Sequence, residues 1–367
     1  MIPNRALNRF VWLTATATLF LICSGGMVTS KGVGLAVPDW PSTFGYNMFL
    51  FPFSQWVGGI FFEHTHRLIA SAVGLLTVIL ALWLWRTDPR RWMRALGWIA
   101  LGVVVFQGVL GGLRVTMLKD EIGIFHACLA QAFLGLLVFI GLATSRFWES
   151  AGASAVSADP RGLARRQTDA LRTAHATAPL SWTAPLSVWL PIAITLSIFA
   201  QLALGATMRH QHRDLAILDF PLAYGRVIPD VSADSLVTVN RWREARALSE
   251  VTAAQIWLQM AHRFGALVIA AGVIGYWFWL RGEPDSNARL KILSTWWVIF
   301  LVTQITLGAW TIWSNKAADI ATAHVAVGAT MLTIGIALSA CVARFGSVQA
   351  TAFRPQEARQ PEEAHAL

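Results

Sequence analysis

Two short stretches of the sequence place ionisable side chains at the start of long apolar runs. They are Glu63-His64-Thr65-His66-Arg67 and Gln259-Met260-Ala261-His262-Arg263. Residues three apart share one face of a helix, so the acid or amide that opens each stretch would lie beside the histidine that precedes the arginine. Ionisable groups inside a bilayer are energetically costly and commonly mark a functional site. Both stretches are therefore candidate sites.

Two further histidines, His126 and His324, begin other apolar runs at matching points in the two halves of the chain. Each half thus offers two imidazoles, with His66 beside His126 and His262 beside His324, at one depth near the outer membrane surface. Helical bundles build cofactor sites between facing side chains, and histidine is a common axial ligand of haem iron. The pattern predicts one haem site in each half. The alternative is that each histidine is only hydrogen-bonded inside its bundle.

The ligand count separates haem from a di-iron centre. A Glu-x-x-His motif also occurs in di-iron carboxylate proteins, but these need two such motifs and further glutamates. The second copy here begins with Gln259, so a di-iron site lacks ligands. Haem needs only two axial nitrogens and apolar walls, and Arg67 and Arg263 beside the ligands could pair with its propionates. Alternatively, both arginines extend toward the membrane interface.

The two halves differ at the position three residues before the first histidine. Gln259 in the second half suits a plain two-histidine haem site that holds a cofactor and passes electrons. Glu63 in the first half places a carboxylate one turn from a candidate iron ligand, where it could exchange protons during a reaction. The simpler alternative is that Glu63 only orients a histidine or pairs with Arg67.

The elements that must position these residues are membrane-spanning helices. The chain has 367 residues, of which 55% are hydrophobic and 13% charged, and this is far too apolar for a soluble domain. A helix needs about 20 apolar residues to cross a bilayer. Eight runs are long enough, and the predicted spans lie near residues 10–29, 63–85, 95–115, 122–145, 187–208, 256–280, 292–313 and 320–343.

The spans divide into two tandem halves. Most Lys and Arg residues fall in alternate connecting segments, which the positive-inside rule places in the cytoplasm together with both termini. Four spans per half give the two copies the same orientation. The predicted fold is therefore all-α and integral to the membrane, with eight transmembrane helices in two tandem, pseudo-symmetric four-helix bundles. The predicted divisions are the first bundle (1–148), a cytoplasmic linker (149–186), the second bundle (187–345) and a cytoplasmic tail (346–367).

The charge and cysteine content exclude several functions. The net charge of +9 follows from membrane topology, which argues against nucleic-acid binding. Cys23, Cys128 and Cys341 fall inside apolar runs, so they are not placed for a disulfide or a Cys-x-x-Cys metal site. The few residues before the first span leave no room for an organellar transit peptide, which favours the bacterial cytoplasmic (inner) membrane.

The other five histidines are expected to be solvated. His64, His210 and His212 would lie near the outer surface, and His175 and His365 in polar segments. None of the five belongs to a matched pair, so none is predicted to bind a cofactor.

With these residues, the sequence resembles the haem A synthase family. The resemblance covers nearly the whole chain. It rests on Glu63-x-x-His66-Arg67, Pro38-Asp39-Trp40-Pro41, Gly111-Gly112 with Arg114, Phe125-His126, His262-Arg263 and His324. The family implies oxidation of a ring methyl of haem O to a formyl group by successive hydroxylations, which gives haem A for cytochrome oxidase. It also implies haem b as the resident cofactor, with His262 and His324 as axial ligands and Arg263 beside them.

The resemblance assigns the first half to the substrate. His66 and His126 would face the iron of the substrate haem O, with Arg67 beside them, and Glu63 would be the acid required for turnover. The family's obvious partners are haem O synthase and a membrane electron acceptor. A homo-oligomer is compatible with the sequence.

The first outer loop departs from the family pattern. Some members carry two cysteines around the Pro-Asp-Trp-Pro motif, where this chain has Val37 and Ser42, so a thiol role in electron handling is excluded. The loop, residues 35–56, is unusually apolar and aromatic for an exposed segment, and we expect it to lie along the membrane interface. There it would cover the substrate site or dock a partner, for which haem O synthase is the candidate.

The main rival function is that of a two-haem b-type cytochrome that transfers electrons from quinol without modifying haem. Four histidines alone do not distinguish a substrate haem from a resident one. Glu63 favours the enzyme, because electron transfer alone does not need the acid. A transporter built from parallel repeats would have helices broken by Gly or Pro and a site at the membrane midplane, whereas these polar groups cluster near one surface.

Overall fold

The computed structural model describes residues 4–148, 183–210, 215–283 and 288–352, and the chain there forms nine α-helices. Two short 3-10 turns, Met48–Leu50 and Phe53–Gln55, lie between the first two helices. The helices are α1 Arg5–Ser30, α2 Gly58–Thr87, α3 Arg91–Met117, α4 Asp120–Ala143, α5 Thr183–His210, α6 Ala233–Glu244, α7 Ala253–Gly282, α8 Ala288–Trp313 and α9 Ala318–Ala352.

Every helix except α6 is long and apolar enough to cross a membrane. The eight predicted spans are therefore confirmed, and the chain is a multi-pass membrane protein with an all-α fold. The predicted linker (149–186) lies outside the described residues except for its last part, which belongs to α5. The last span ends at Arg344, α9 continues beyond it to Ala352, and residues 353–367 of the predicted tail lie outside the described part.

The helices pack in a sequential pattern in each half. In the first half, α1 and α3 both lie against α2 and against α4. In the second half, α5 and α8 both lie against α7 and against α9. Contacts of α1 with α9 and of α4 with α5 and α9 join the halves. The domain boundaries and the cytoplasmic position of the termini stay predictions.

Each half has its own apolar core. Leu80, Leu84 and Leu137 are fully buried in the first. In the second, Tyr276 and Trp297 are fully buried, and the Nε1 of Trp297 donates to a backbone carbonyl of α9. Apolar helix faces that meet in this way fix the positions of the polar residues near the helix ends.

Two connecting segments fold over the amino-terminal ends of α2 and α7. We call residues 31–57 loop 1 and residues 215–252 loop 2. Loop 2 contains α6, which the sequence did not predict, and its Ile217 and Val251 form a small core with Ile256 of α7. Arg243 of α6 is buried and donates to the carbonyls of Leu215, at 3.2 Å, and Ser249, at 2.6 Å. Loop 2 is therefore a folded cap on the second half.

Candidate cofactor site

Four half-buried histidine rings repeat one packing arrangement. The rings lie near the amino-terminal ends of α2, α4, α7 and α9. Each ring packs against a glycine of the preceding membrane-spanning helix, which is α1, α3, α5 or α8, respectively. The pairs are Gly25 with His66, Gly111 with His126, Gly205 with His262 and Gly308 with His324. We call these four residues the cradle glycines. A Cβ atom on them would lie 2.9, 3.5, 3.4 and 3.1 Å from the ring Cε1, respectively, so the rings sit directly against backbone.

The rings of His262 and His324 are spaced to ligate one iron. Their centroids lie 6.5 Å apart, with 61° between the ring planes. A metal–imidazole bond is about 2 Å long and the ring centre lies about 1 Å beyond the nitrogen, so two rings on one iron have centroids about 6 Å apart. Both rings keep a buried Nδ1 without a hydrogen-bond partner in the described part of the chain. The pair therefore fits a haem with two axial imidazoles.

His66 and His126 form the equivalent pair in the first half. The Nδ1 atoms of both rings are buried and have no hydrogen-bond partner among the described residues. The two rings lie close enough to interact electrostatically. The structure thus brings together all four histidines that the sequence singled out, in the two pairs expected.

Three glutamines contact these histidines, and each precedes a cradle glycine by four residues. Gln107 and Gln201 donate from Nε2 to the backbone carbonyls of His126, at 3.0 Å, and His262, at 2.6 Å. The Nε2 of Gln304 lies 3.4 Å from the Nε2 of His324. An alignment of the two halves pairs Gln107 with Gln304. It gives Gln201 no counterpart, because α1 has a leucine, Leu21, at the matching position. The Gln-x-x-x-Gly spacing is the pattern that would have found it.

Glu63 and Gln259 both tie a loop to the helix that carries a histidine. The Oε2 of Glu63 accepts from the Val37 amide at 3.0 Å, and its Oε1 lies 2.8 Å from the Nη2 of Arg67. Gln259 accepts from the amide of Ile217 at 2.9 Å and donates to its carbonyl at 3.1 Å. Both side chains are buried. Of the roles considered for Glu63, the structure shows the ion pair with Arg67.

Arg67 and Arg263 bind loop carbonyls. Arg67 donates to the carbonyls of Val37 at 2.8 Å, Asp39 at 2.7 Å and Ser42 at 3.1 Å. Arg263 donates to the equivalent carbonyls in loop 2, at 2.7 Å for Asp219 and at 2.8 Å for Leu222. Both guanidinium groups therefore have partners other than the propionates or the interface that the sequence suggested.

The turn that Arg67 holds is organised by Asp39. Its carboxylate accepts from the Ser42 hydroxyl at 2.5 Å and from the amides of Phe44 at 2.7 Å and Gly45 at 2.9 Å. Desolvation raises the pKa of Asp39, but the hydrogen bonds from Gly45, Ser42 and Phe44 lower it more, so the net pKa lies below its ordinary value. Asp219 accepts from two amides in the same way in loop 2.

The expectation that His64 and His210 are solvated is wrong, because both are buried. Loop 1 folds over His64, whose ring lies between Phe51 and Trp56 and whose Nδ1 is 3.2 Å from the Oγ1 of Thr43. His210 packs against α4, where a Cβ on the nearest glycine would lie 2.7 Å from its Nδ1. His175, His212 and His365 lie outside the described residues.

The described part of the chain is thus a multi-pass helical membrane protein with one pair of imidazoles in each half. The match to known families is more specific. The family model described as cytochrome oxidase assembly protein (COX15-CtaA) matches residues 8–336. The chain belongs to this family.

Several curated relatives share the sequence at low identity. The protein named Heme A synthase from Shouchella clausii is 23% identical over 307 residues, covering 83% of this chain and 86% of the relative. Its namesake from Geobacillus kaustophilus is 24% identical over 337 residues, covering 88% and 86%. A third, from Halalkalibacterium halodurans, is 27% identical over 232 residues, covering 62% and 68%.

Proposed function

We propose that this protein is a haem A synthase, an oxidoreductase that converts a ring methyl of haem O to a formyl group. Each of two hydroxylations adds a hydroxyl from water to the methyl carbon and passes two electrons to a membrane electron acceptor, with two protons released; loss of water from the resulting diol then leaves the aldehyde, which gives haem A for cytochrome oxidase. Family membership and the named relatives support this assignment. The observation that carries it is the pair of matched histidine sites, of which only the first has a carboxylate at the loop-anchoring position.

The second half is the place for the resident haem b. The ring spacing of His262 and His324 and their unpartnered nitrogens support this ligand pair. When bound, the haem supplies an iron that changes oxidation state and passes electrons. The protein holds the ligands rigidly, since Gln201 fixes the backbone of His262 and loop 2 is bonded to α7 through Gln259. Arg263 holds the same loop by donating to the carbonyls of Asp219 and Leu222.

The first half binds the substrate haem O between His66 and His126. Glu63 is a buried carboxylate one helical turn from His66, and its bonds to Val37 and Arg67 keep both oxygens in fixed directions. It contributes negative charge where the reacting group loses electrons, and an oxygen that accepts a proton. Loop 1, which Arg67 also holds, excludes water from this end of the site.

The proposed setting is the bacterial cytoplasmic membrane, with the haem sites near its outer face. Loop 1 exposes large apolar side chains, with Phe49, Leu50 and Phe53 each more than two-thirds exposed. Such a surface suits the membrane interface. Haem O synthase, which supplies the substrate, and a membrane electron acceptor are the proposed partners.

The test is expression in a host that makes haem O but no haem A. Non-covalent haems are extracted and separated by chromatography with mass detection. The native chain should yield haem A or its hydroxylated precursor, and Glu63→Gln should reduce both sharply. Recovery of bound haem b with only unmodified haem O, although haem O synthase and electron donors are present, would instead identify an electron-transfer cytochrome.

A further inference from the structure

Two arginines stand near the histidine pairs and take no part in the loop anchors. Arg114 lies on α3 and Arg209 on α5, each about one turn beyond the cradle glycine of its helix. Pseudo-symmetry gives them the counterparts Thr311 on α8 and Thr29 on α1. Both threonines donate to carbonyls of their own helices. Each arginine is therefore present in only one of the two repeated halves.

Arg114 lies within the first half, against loop 1. A Cβ on Gly34 would lie 3.0 Å from its Nη2. Its charge interacts with the rings of both His66 and His126. Two carboxylates act on Arg114: Glu63, which is already paired with Arg67 at 2.8 Å, and Asp120 at the start of α4. Arg114 therefore presents a cation to the first histidine pair.

Arg209 crosses from the second half to the first. Its Nη2 donates to the Gly26 carbonyl and the Ser30 hydroxyl of α1. Its Nε is buried, without a hydrogen-bond partner in the described part of the chain. Its charge interacts with the ring of His324 and with the guanidinium of Arg114. The two guanidinium groups therefore lie between the first histidine pair and the second.

Two like charges near each other at low dielectric repel, and a buried cation without an anion is costly. No ion pair joins Arg209 to a carboxylate among the described residues. A bound anion would remove both costs, and guanidinium groups pair with carboxylates through short, charge-assisted hydrogen bonds. The arrangement calls for a carboxylate ligand.

We propose that Arg114 and Arg209 form a carboxylate-binding site between the two histidine pairs, and that this site holds a propionate from each bound haem. The proposal rests on the proposed function, because that function places one haem at each pair. Arg114 and Arg209, rather than Arg67 and Arg263, would then bind the propionates, because Arg67 and Arg263 already donate to carbonyls of the loops. The proposal also places a positive charge beside both haem edges, which favours the reduced iron.

The first experiment is a redox titration of haem b in the purified full-length protein. Arg209→Gln should lower the midpoint potential, and Arg209→Lys, which keeps the charge, should stay nearer the native value. Ser30→Ala removes a partner of Arg209 but no charge, and Arg226→Gln removes an exposed charge of loop 2. Both controls should titrate like the native protein. Equal potentials in native protein and Arg209→Gln, or the same downward shift in Ser30→Ala, would overturn the proposal.

The second experiment removes the ligand charge instead. Haem O should bind several-fold more weakly to Arg114→Gln than to native protein, whereas haem O with esterified propionates should bind both equally weakly. A difference in affinity between native protein and Arg114→Gln that persists with the esters would refute propionate binding. These readouts need no turnover, so a native chain that shows them but makes no haem A would contradict only the proposed function.

Discussion

The two halves of the chain share one scaffold around their histidines but fasten it differently. In the second half, Gln201 bonds the backbone of His262, and Gln259 makes a two-sided amide contact with Ile217. In the first half, Leu21 replaces Gln201, and Glu63 combines one amide contact with an ion pair. At these two positions the second half thus uses neutral hydrogen bonds, whereas the first half has a charge pair beside its site.

The loops differ in the same sense. Loop 2 is folded around α6 and its buried Arg243. Loop 1 has no charged residue after Asp39, and it exposes aromatic side chains. The position of His64 under loop 1 is occupied by Met260 in the core of loop 2. Both loops are bonded to the helix beneath them, so they differ in content: loop 2 carries a folded helix, and loop 1 presents an apolar, aromatic surface.

Exchanging the two anchoring residues gives the largest expected effects. Glu63→Gln makes the first half resemble the second and should lower haem A output by roughly a hundredfold, within the range for loss of an acid–base group. Gln259→Glu replaces a donor by an acceptor opposite the Ile217 carbonyl, which should destabilise the second half by about 1–3 kcal/mol. Haem extraction and thermal unfolding measure the two effects. Equal behaviour of both variants would show that the asymmetry has no functional meaning.

The cradle glycines give a matched pair of smaller changes. A Cβ on Gly25 would lie 2.9 Å from Cε1 of His66, so Gly25→Ala must displace the ring. At Gly205 the same distance to His262 is 3.4 Å, an ordinary van der Waals contact. Gly25→Ala should therefore reduce haem A output several-fold, and Gly205→Ala should leave haem b content and its spectrum near native. A reversed order of severity would contradict the close packing described for the first half.

The amide contact at Gln201 should govern how long the second half retains haem. Gln201→Leu removes the hydrogen bond to the His262 carbonyl, worth about 1 kcal/mol. It should speed haem b loss severalfold when apomyoglobin is added as a haem acceptor. Gln107→Leu removes the equivalent bond to His126 and serves as the control, since it should leave the rate of haem b loss unchanged.

Much of the framework follows from the sequence, for physical reasons. Long apolar runs specify the spans, and histidines a few residues inside them must lie at one depth. The partners of Arg67 could not be predicted, because they are backbone carbonyls whose positions depend on how loop 1 turns. The burial of His64 and the helix α6 were missed for the same reason. In α6, the spacing of Leu236, Val239 and Arg243 on one face indicates a helix, but an arginine in the buried stripe conceals it.

Acid should weaken loop 1 by a small amount. A carboxylate whose pKa is lower in the folded state stabilises it above the unfolded pKa, and this stabilisation is lost as pH falls through the folded pKa. Asp39 is such a group, so hydrogen exchange around Phe44 and Gly45 should lose protection below about pH 4. Asp39→Asn should show weaker protection that does not change over that window. A native loop whose protection is constant to about pH 2 would contradict this role.

The division of labour between the halves is tested most directly by the haem content of two single variants, purified from a host that makes haem b and haem O. His66→Ala should retain haem b and lose the haem O-derived haem, whereas His262→Ala should lose haem b. The account predicts this crossed pattern, because each pair of rings serves one haem. Loss of the same haem from both variants would contradict it.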